Sequence, residues 1–243
     1  MLRSYKADLH VHTCLSPCAE VKMSPATIVK RAKSRGIHII GICDHNSAEN
    51  TPAALEAAGR HGVHVFPGME VTSSEEVHLL ALFDALEPVR QLQEIVYRYL
   101  PGENDEEAFG MQVVANADDE VLGFNRRLLI GATTLPVEEI VDNIRSLGGL
   151  AIAAHVDRES FSLISQLGFI PDDLALDALE ISPALSYEDA VRKYSPSLPL
   201  IQSSDAHKED DIGRCCTRFL IDDANIGEIR KALRGQEGRT ILR

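Results

Sequence analysis

Ser4-Tyr5-Lys6-Ala7-Asp8-Leu9-His10-Val11-His12-Thr13 opens the chain with an extended run that ends in two histidines separated by one residue. Chemistry-bearing residues recur at the ends of later apolar runs. Cys43-Asp44-His45 follows Ile37-His38-Ile39-Ile40-Gly41-Ile42, and Glu70 follows Val63-His64-Val65-Phe66-Pro67. His155 follows Leu150-Ala151-Ile152-Ala153-Ala154, Ser204-Asp205-Ala206-His207 follows Leu198-Pro199-Leu200-Ile201-Gln202, and His78 precedes Leu79-Leu80-Ala81-Leu82-Phe83. Short apolar runs alternating with helical patterns read as parallel strands buried on both faces, and the carboxyl ends of such strands carry the site. A shared rim then gathers these residues into a metal cluster.

The 243 residues suit one α/β barrel, read as a single domain over residues 1–243, and 44% hydrophobic residues supply its core. A net charge of −13 works against sequence-independent capture of nucleic acid, which relies on Lys and Arg neutralising phosphates. Long duplex nucleic acid is therefore not an expected partner, although bound divalent cations reverse the sign of the field locally. Five cysteines without a CxxC, and a start from Met1 to Thr13 unlike a signal peptide, read as a reduced cytoplasmic protein. No stretch approaches the roughly 18 apolar residues a membrane span needs.

Ser24-Pro25 places an N-cap and an N1 proline before Ile28, Val29 and Ala32 at helical spacing, and Gly36 stops that helix. Further helices are expected at 52–60, 88–99, 137–147, 160–168, 187–193 and 226–234. They interleave with strands near 37–43, 63–67, 77–83, 150–154, 177–181, 199–203 and 217–221. Residues 101–136 break the alternation. There Met111-Gln112-Val113-Val114 and Val121-Leu122-Gly123-Phe124 flank the acidic turn 116–120, which reads as a hairpin insertion that either covers the site or packs on the barrel wall.

Asp8-Leu9-His10-Val11-His12-Thr13, Asp44-His45-Asn46, Gly68-Met69-Glu70-Val71, His78, Ala154-His155 and Ser204-Asp205-Ala206-His207 resemble, in order, the successive motifs of the PHP (polymerase and histidinol phosphatase) family. The resemblance spans nearly the whole chain. It implies a distorted (β/α)7 TIM-like barrel with a small hairpin insertion, holding two or three divalent ions (Mn, Fe or Zn) and hydrolysing phosphoesters. It also implies that His10, His12, Glu70 and Asp205 hold one ion, that Glu70, His78 and His155 hold a second, and that Glu70 bridges them. His45 and His207, with one ligand from the loop after the first strand, would hold a third. Asp8 and Asp44 would orient imidazoles from behind. Glu70, Asp205 and His207 are the catalytic candidates. Two ions about 3.5–4 Å apart, bridged by a carboxylate and a hydroxide, would lower the pKa of water and polarise the P–O bond without a protein nucleophile.

The loop departs from the family pattern, in which Ser-Asp-Gly precedes Thr-Pro and the Asp is the ligand. Here it reads Leu15-Ser16-Pro17-Cys18-Ala19-Glu20-Val21-Lys22-Met23-Ser24-Pro25. Counting back from Pro25 puts Glu20 in the Asp position, whereas counting forward from His12 favours Cys18. A hard carboxylate suits a phosphate-binding site and a thiolate selects softer metals, so Glu20 is the expected ligand.

His38, His61 and His64 read as surface or core residues outside the cluster, and the five cysteines match no standard zinc spacing. Arg158 and Arg214 are candidate phosphate clamps, because a planar guanidinium matches phosphate oxygens. Glu180, at the end of the sixth strand, points toward the rim as a contact to a ligand or to substrate. The sequence reads as a metal-dependent phosphoesterase for a small phosphorylated metabolite or a nucleotide phosphoester. An amidohydrolase-type C–N or C–O hydrolase is the rival among enzymes, but it usually needs a carboxylated lysine as the bridge that Glu70 supplies here. A non-catalytic module of the same fold would show decayed ligands, and the core set is present.

Overall fold

A computed structural model describes residues 1–171, 173–194 and 196–242. Each apolar run becomes a strand: β1 (Arg3–Val11), β2 (Ile39–Ile42), β3 (His64–Thr72), β4 (His78–Leu82), β5 (Val113–Ala115), β6 (Val121–Phe124), β7 (Leu150–Ala153), β8 (Ala178–Ile181), β9 (Leu200–Gln202), β10 (Thr217–Ile221) and β11 (Thr240–Leu242). The helices are α1 (Pro25–Ser34), α2 (Thr51–His61), α3 (Leu86–Tyr99), α4 (Glu106–Phe109), α5 (Val137–Ser146), α6 (Leu163–Leu167), α7 (Tyr187–Tyr194) and α8 (Ile226–Arg234). Nine strands make one curled sheet in the order β11-β10-β1-β2-β3-β4-β7-β8-β9, and β5 and β6 form a separate hairpin. No helix among the described residues is long and apolar enough to cross a membrane.

The sheet is mixed, which corrects the expectation that its strands run parallel. β4 runs antiparallel to β3 and β7, β10 to β1, and β11 to β10. Residues 73–77, which join β3 to β4, are too few for a parallel crossover, and a hairpin is what so short a connection allows. The reversal serves the site. It brings His78, the first residue of β4, opposite Thr72 at the end of β3, and so to the rim where the parallel strands end.

A second irregularity aims the first histidines. Along β1 the register against β2 shifts between Asp8 and Val11, so the strand carries one extra residue there. Leu9 therefore packs in the inner core with Phe66 and Leu80, whereas Val11, two residues on, packs outside with Ile28 and Val29. Strict alternation would keep the two on one face. His10 and His12 enter the rim because of this bulge. Backbone hydrogen bonds from His12 N to the Ala206 carbonyl (3.0 Å) and from Ala206 N to the His10 carbonyl (3.3 Å) bring the loop after β9 alongside.

The inner core is built from Ala7, Leu9, Ile39, Phe66, Leu80 and Ile152. α8 closes its floor: Ile226, Ile229 and Leu233 join that core, and Arg230 reaches the Gly149 carbonyl (2.8 Å) and Asp177 (3.1 Å) below β7 and β8. α3 and α5 cover the outer face of β3, β4 and β7, while α1 and α2 cover β1 and β2. Between inner faces the strands approach closely at Gly41, where an added Cβ would lie 2.4 Å from the Leu9 carbonyl oxygen. We expect Gly41→Ala to lower stability by about 2–3 kcal/mol, since neither backbone can yield without unseating the bulge. Chemical denaturation checks this, and a loss below about 0.5 kcal/mol would refute the packing argument.

The expected insertion is present as α4 and the β5–β6 hairpin. It packs across the loop that follows β1: Val113 N donates to the Cys14 carbonyl (2.8 Å), and the Asn50 side chain bonds Val113 and Ala115. Ser24 makes no side-chain cap on α1, and the insertion supplies one instead, with Asp119 accepting from Ala26 N (3.1 Å). A carboxylate there complements the helix dipole. The hairpin is thus fastened to the wall, and within 101–136 it is Ile130 that lines the candidate site.

Candidate metal centre

Glu70 sits near the end of β3, 1% exposed, with five imidazoles around its carboxylate. Oε1 faces His78 Nδ1 (2.9 Å), His155 Nε2 (3.2 Å) and His10 Nε2 (3.5 Å). Oε2 faces His45 Nδ1 (3.1 Å) and His12 Nε2 (3.3 Å). Asp205 Oδ1 lies 3.2 Å from His10 Nε2 and 3.1 Å from His12 Nε2. Among the described residues, three groups bring their donor atoms within 4.8 Å of one another: His10, His12 and Asp205; His45, Glu70 and His78; and His12, His45 and His207.

These atoms fit coordinated cations better than they fit one another. His45 Nδ1 and His78 Nδ1 are buried beside Glu70 oxygens yet make no hydrogen bond, and His155 Nδ1 is also without one. Buried polar groups in native proteins ordinarily have such a partner. A set of imidazoles and carboxylates suits Zn, Fe or Mn.

The surroundings hold the donors in place. Glu180, 1% exposed on β8, places Oε2 2.9 Å from His10 Nδ1 and accepts from His155 N (3.2 Å). Ser16 Oγ lies 2.9 Å from His12 Nδ1 and donates to Asp44 Oδ1 (2.7 Å), so Asp44 acts on His12 through a serine. Asp8 does not touch an imidazole as expected. It accepts from Ser204 N (2.9 Å), Ser204 Oγ (2.6 Å) and Gly213 N (2.7 Å), and so pins the residue before Asp205. His207 Nδ1 bonds the Asp205 carbonyl (2.9 Å). Asn46, His155, Phe161 and Asp205 adopt φ of 48°, 29°, 57° and 49°, a conformation that Asn, His and Asp adopt more readily than other non-glycine residues and that is unusual for a bulky residue such as Phe161.

In the loop after β1, the two candidate ligands are placed differently. The Glu20 side chain is exposed, and Glu20 meets the centre only through its backbone N–H, which donates to the His207 carbonyl (2.9 Å). Cys18, although exposed, lines the cavity of about 190 Å³ at the cluster, beside His45 and His207. The loop folds on itself between His12 and Pro25. Turns from Ser16 to Ala19 and from Glu20 to Met23 absorb the extra residues on the α1 side.

Arg158 and Arg214 both line an adjoining cavity of about 440 Å³, and Arg158 Nη2 lies 2.5 Å from Asp205 Oδ2. A cavity of about 600 Å³ near β9, β10 and β11 is larger, but no histidine lines it. His38, His61 and His64 lie outside the three groups, as expected.

Burial raises the Glu70 pKa, but His78, His10 and His45 outweigh it and hold the carboxyl well below the usual range. Burial lowers His12 and His45, but facing carboxylates outweigh it and lift both to about 9. Burial leaves His78 at about 4 and, with His12 nearby, His207 at about 3. In the metal-free protein His12 and His45 therefore carry protons at neutral pH that a coordinated imidazole cannot keep. We expect loading with a divalent ion to release protons, and affinity to rise with pH up to about 9. Calorimetry in buffers of different ionisation enthalpy measures this directly. Heats independent of buffer would refute it.

An endonuclease Q from Pyrococcus furiosus superposes on 99% of this chain with a TM-score of 0.73 and 25% identity, this chain spanning 58% of it. An endonuclease Q in complex with a 27-mer duplex substrate, with an abasic lesion at the active site, superposes with a TM-score of 0.73 and 26% identity over 99% of this chain and 59% of that one. A 5′-3′ exoribonuclease from Haemophilus influenzae is 31% identical over 87 residues, 34% of this chain and 31% of the relative. This chain thus spans less than two thirds of each.

Those findings overturn the expectation of a small phosphorylated partner and no long duplex, since the endonuclease Q that superposes on 99% of this chain is in complex with a 27-mer duplex. The charge argument failed because −13 sums over the whole surface, whereas a phosphate meets the local field. Bound divalent cations reverse the sign of the field where they sit. Residues 8–162 match the family described as PHP domain and residues 193–238 the family described as PHP-associated, so the chain belongs to the PHP-domain family.

Proposed function

We propose that this chain is a metal-dependent nuclease that hydrolyses phosphodiester bonds in DNA. The observation that carries the reading is the superposition of 99% of this chain on 59% of an endonuclease Q in complex with duplex substrate. In this reading His10, His12 and Asp205 would hold one ion, His78 and His155 a second, and Glu70 would serve both. His45, His207 and Cys18 would hold a third. Mn, Fe and Zn are the ions these donors suit. Bound there, such ions would lower the pKa of water and neutralise charge on the phosphate.

The chain's own residues do the rest. Arg158 and Arg214 face one cavity beside Asp205, where their forks can take phosphate oxygens that the ions leave free. His207 donates Nδ1–H to the Asp205 carbonyl, which makes Nε2 its lone-pair nitrogen, a ligand or base rather than an acid. The imidazoles around Glu70 hold its carboxyl well below the usual range, so it is ionised at neutral pH.

The test is cleavage of end-labelled duplex and single-stranded oligonucleotides by protein loaded with Mn, Fe or Zn, with and without a chelator. Cleavage that chelation abolishes is expected. Metal-loaded protein that cuts no nucleic acid would overturn the reading.

A further inference from the structure

We infer that Phe161 is a stacking platform for a nucleobase next to the scissile phosphodiester, an inference that rests on the nuclease reading above. Phe161 lies between β7 and α6, on the rim of the cavity at the cluster. One face of its ring is committed, lying on His78 with centroids 4.8 Å apart and planes 23° from parallel. The residue is nonetheless 41% exposed, on the rim of the cavity beside the centre.

The backbone holds it there against its preference. Phe161 has φ of 57°, its carbonyl accepts from His78 N (3.0 Å), and the next residue, Ser162, both caps α6 and donates to the Arg158 carbonyl (2.8 Å). A phenylalanine needed only to shield His78 has no reason to sit in the left-handed region with so much of its surface in water. The same turn also carries Arg158, whose guanidinium reaches Asp205. A cation for phosphate and a flat apolar ring, three residues apart, match the two halves of a nucleotide. Base-on-aromatic stacking tolerates any sequence, because every base has a π-face.

The experiment compares metal-loaded wild type, Phe161→Ala and Phe161→Tyr on oligonucleotides in which a single abasic position is walked through the cleavage site. Alanine keeps the same backbone demand at positive φ, so the loop is not selectively relieved. For intact strands Phe161→Ala should raise KM by roughly ten- to a hundredfold, and Phe161→Tyr should restore it. At one abasic position the penalty should vanish, with metal content equal in all three proteins. A penalty equal at every position, a wild-type KM in Phe161→Ala, or lost metal that tyrosine does not restore would each overturn the stacking role while leaving the nuclease reading intact. If wild type cuts no oligonucleotide, both fall together.

Discussion

Glu70→Gln should reduce phosphodiester cleavage by about 10³-fold or more and leave the purified protein depleted of metal. The substitution keeps the volume of the side chain and removes its charge. In the native site each carboxylate oxygen serves a different set of rings, Oε1 facing His10, His78 and His155, and Oε2 facing His12 and His45. An amide offers one acceptor and turns an N–H toward the other set. The rings change too, because Glu70 is among the groups that raise His10, His12 and His45. In the variant their pKa values should fall, so less proton is displaced when metal is offered, yet the binding that remains should be weak. Metal analysis and single-turnover cleavage check the two halves separately. A rate within tenfold of wild type at full metal content would mean that Glu70 is not shared between ions.

Much of this centre was legible before any coordinates, because its residues stand at the ends of apolar runs and such runs become strands whatever their direction. His10, His12, His45, His78, His155, Asp205 and His207 all meet as the motif order implies. Two things escaped. Direction did, because an apolar run such as Leu79 to Phe83 is equally good parallel or antiparallel, and only the short link from β3 decides it. Loop geometry did as well. Glu20 and Cys18 are separated by one residue, and which of them turns inward depends on the turns at Ser16 and Glu20, set by backbone hydrogen bonds rather than by spacing. Phe161 had no motif to announce it, since its signal is a backbone dihedral. The bulge in β1 was equally silent, and it explains why Leu9 and Val11 face opposite ways although their sequence alternates cleanly.

Glu180 was read from the sequence only as a rim residue, and its geometry now supports a specific expectation. Glu180→Ala should weaken metal binding by about 10- to 100-fold, the range usual for partners that orient a ligand from behind. Its Oε2 takes the Nδ1 side of His10, which fixes Nε2 as the lone-pair nitrogen facing Asp205 and His12. The same oxygen accepts from His155 N, in a residue whose φ of 29° is strained and needs such an anchor. Alanine would release both at once. Glu180→Gln retains one acceptor oxygen, so its loss should be the smaller of the two. Competition against a chelator of known affinity ranks the three proteins. If Glu180→Ala binds metal as tightly as wild type, then the bulge and packing alone orient His10, and Glu180 is left with only the His155 backbone to hold.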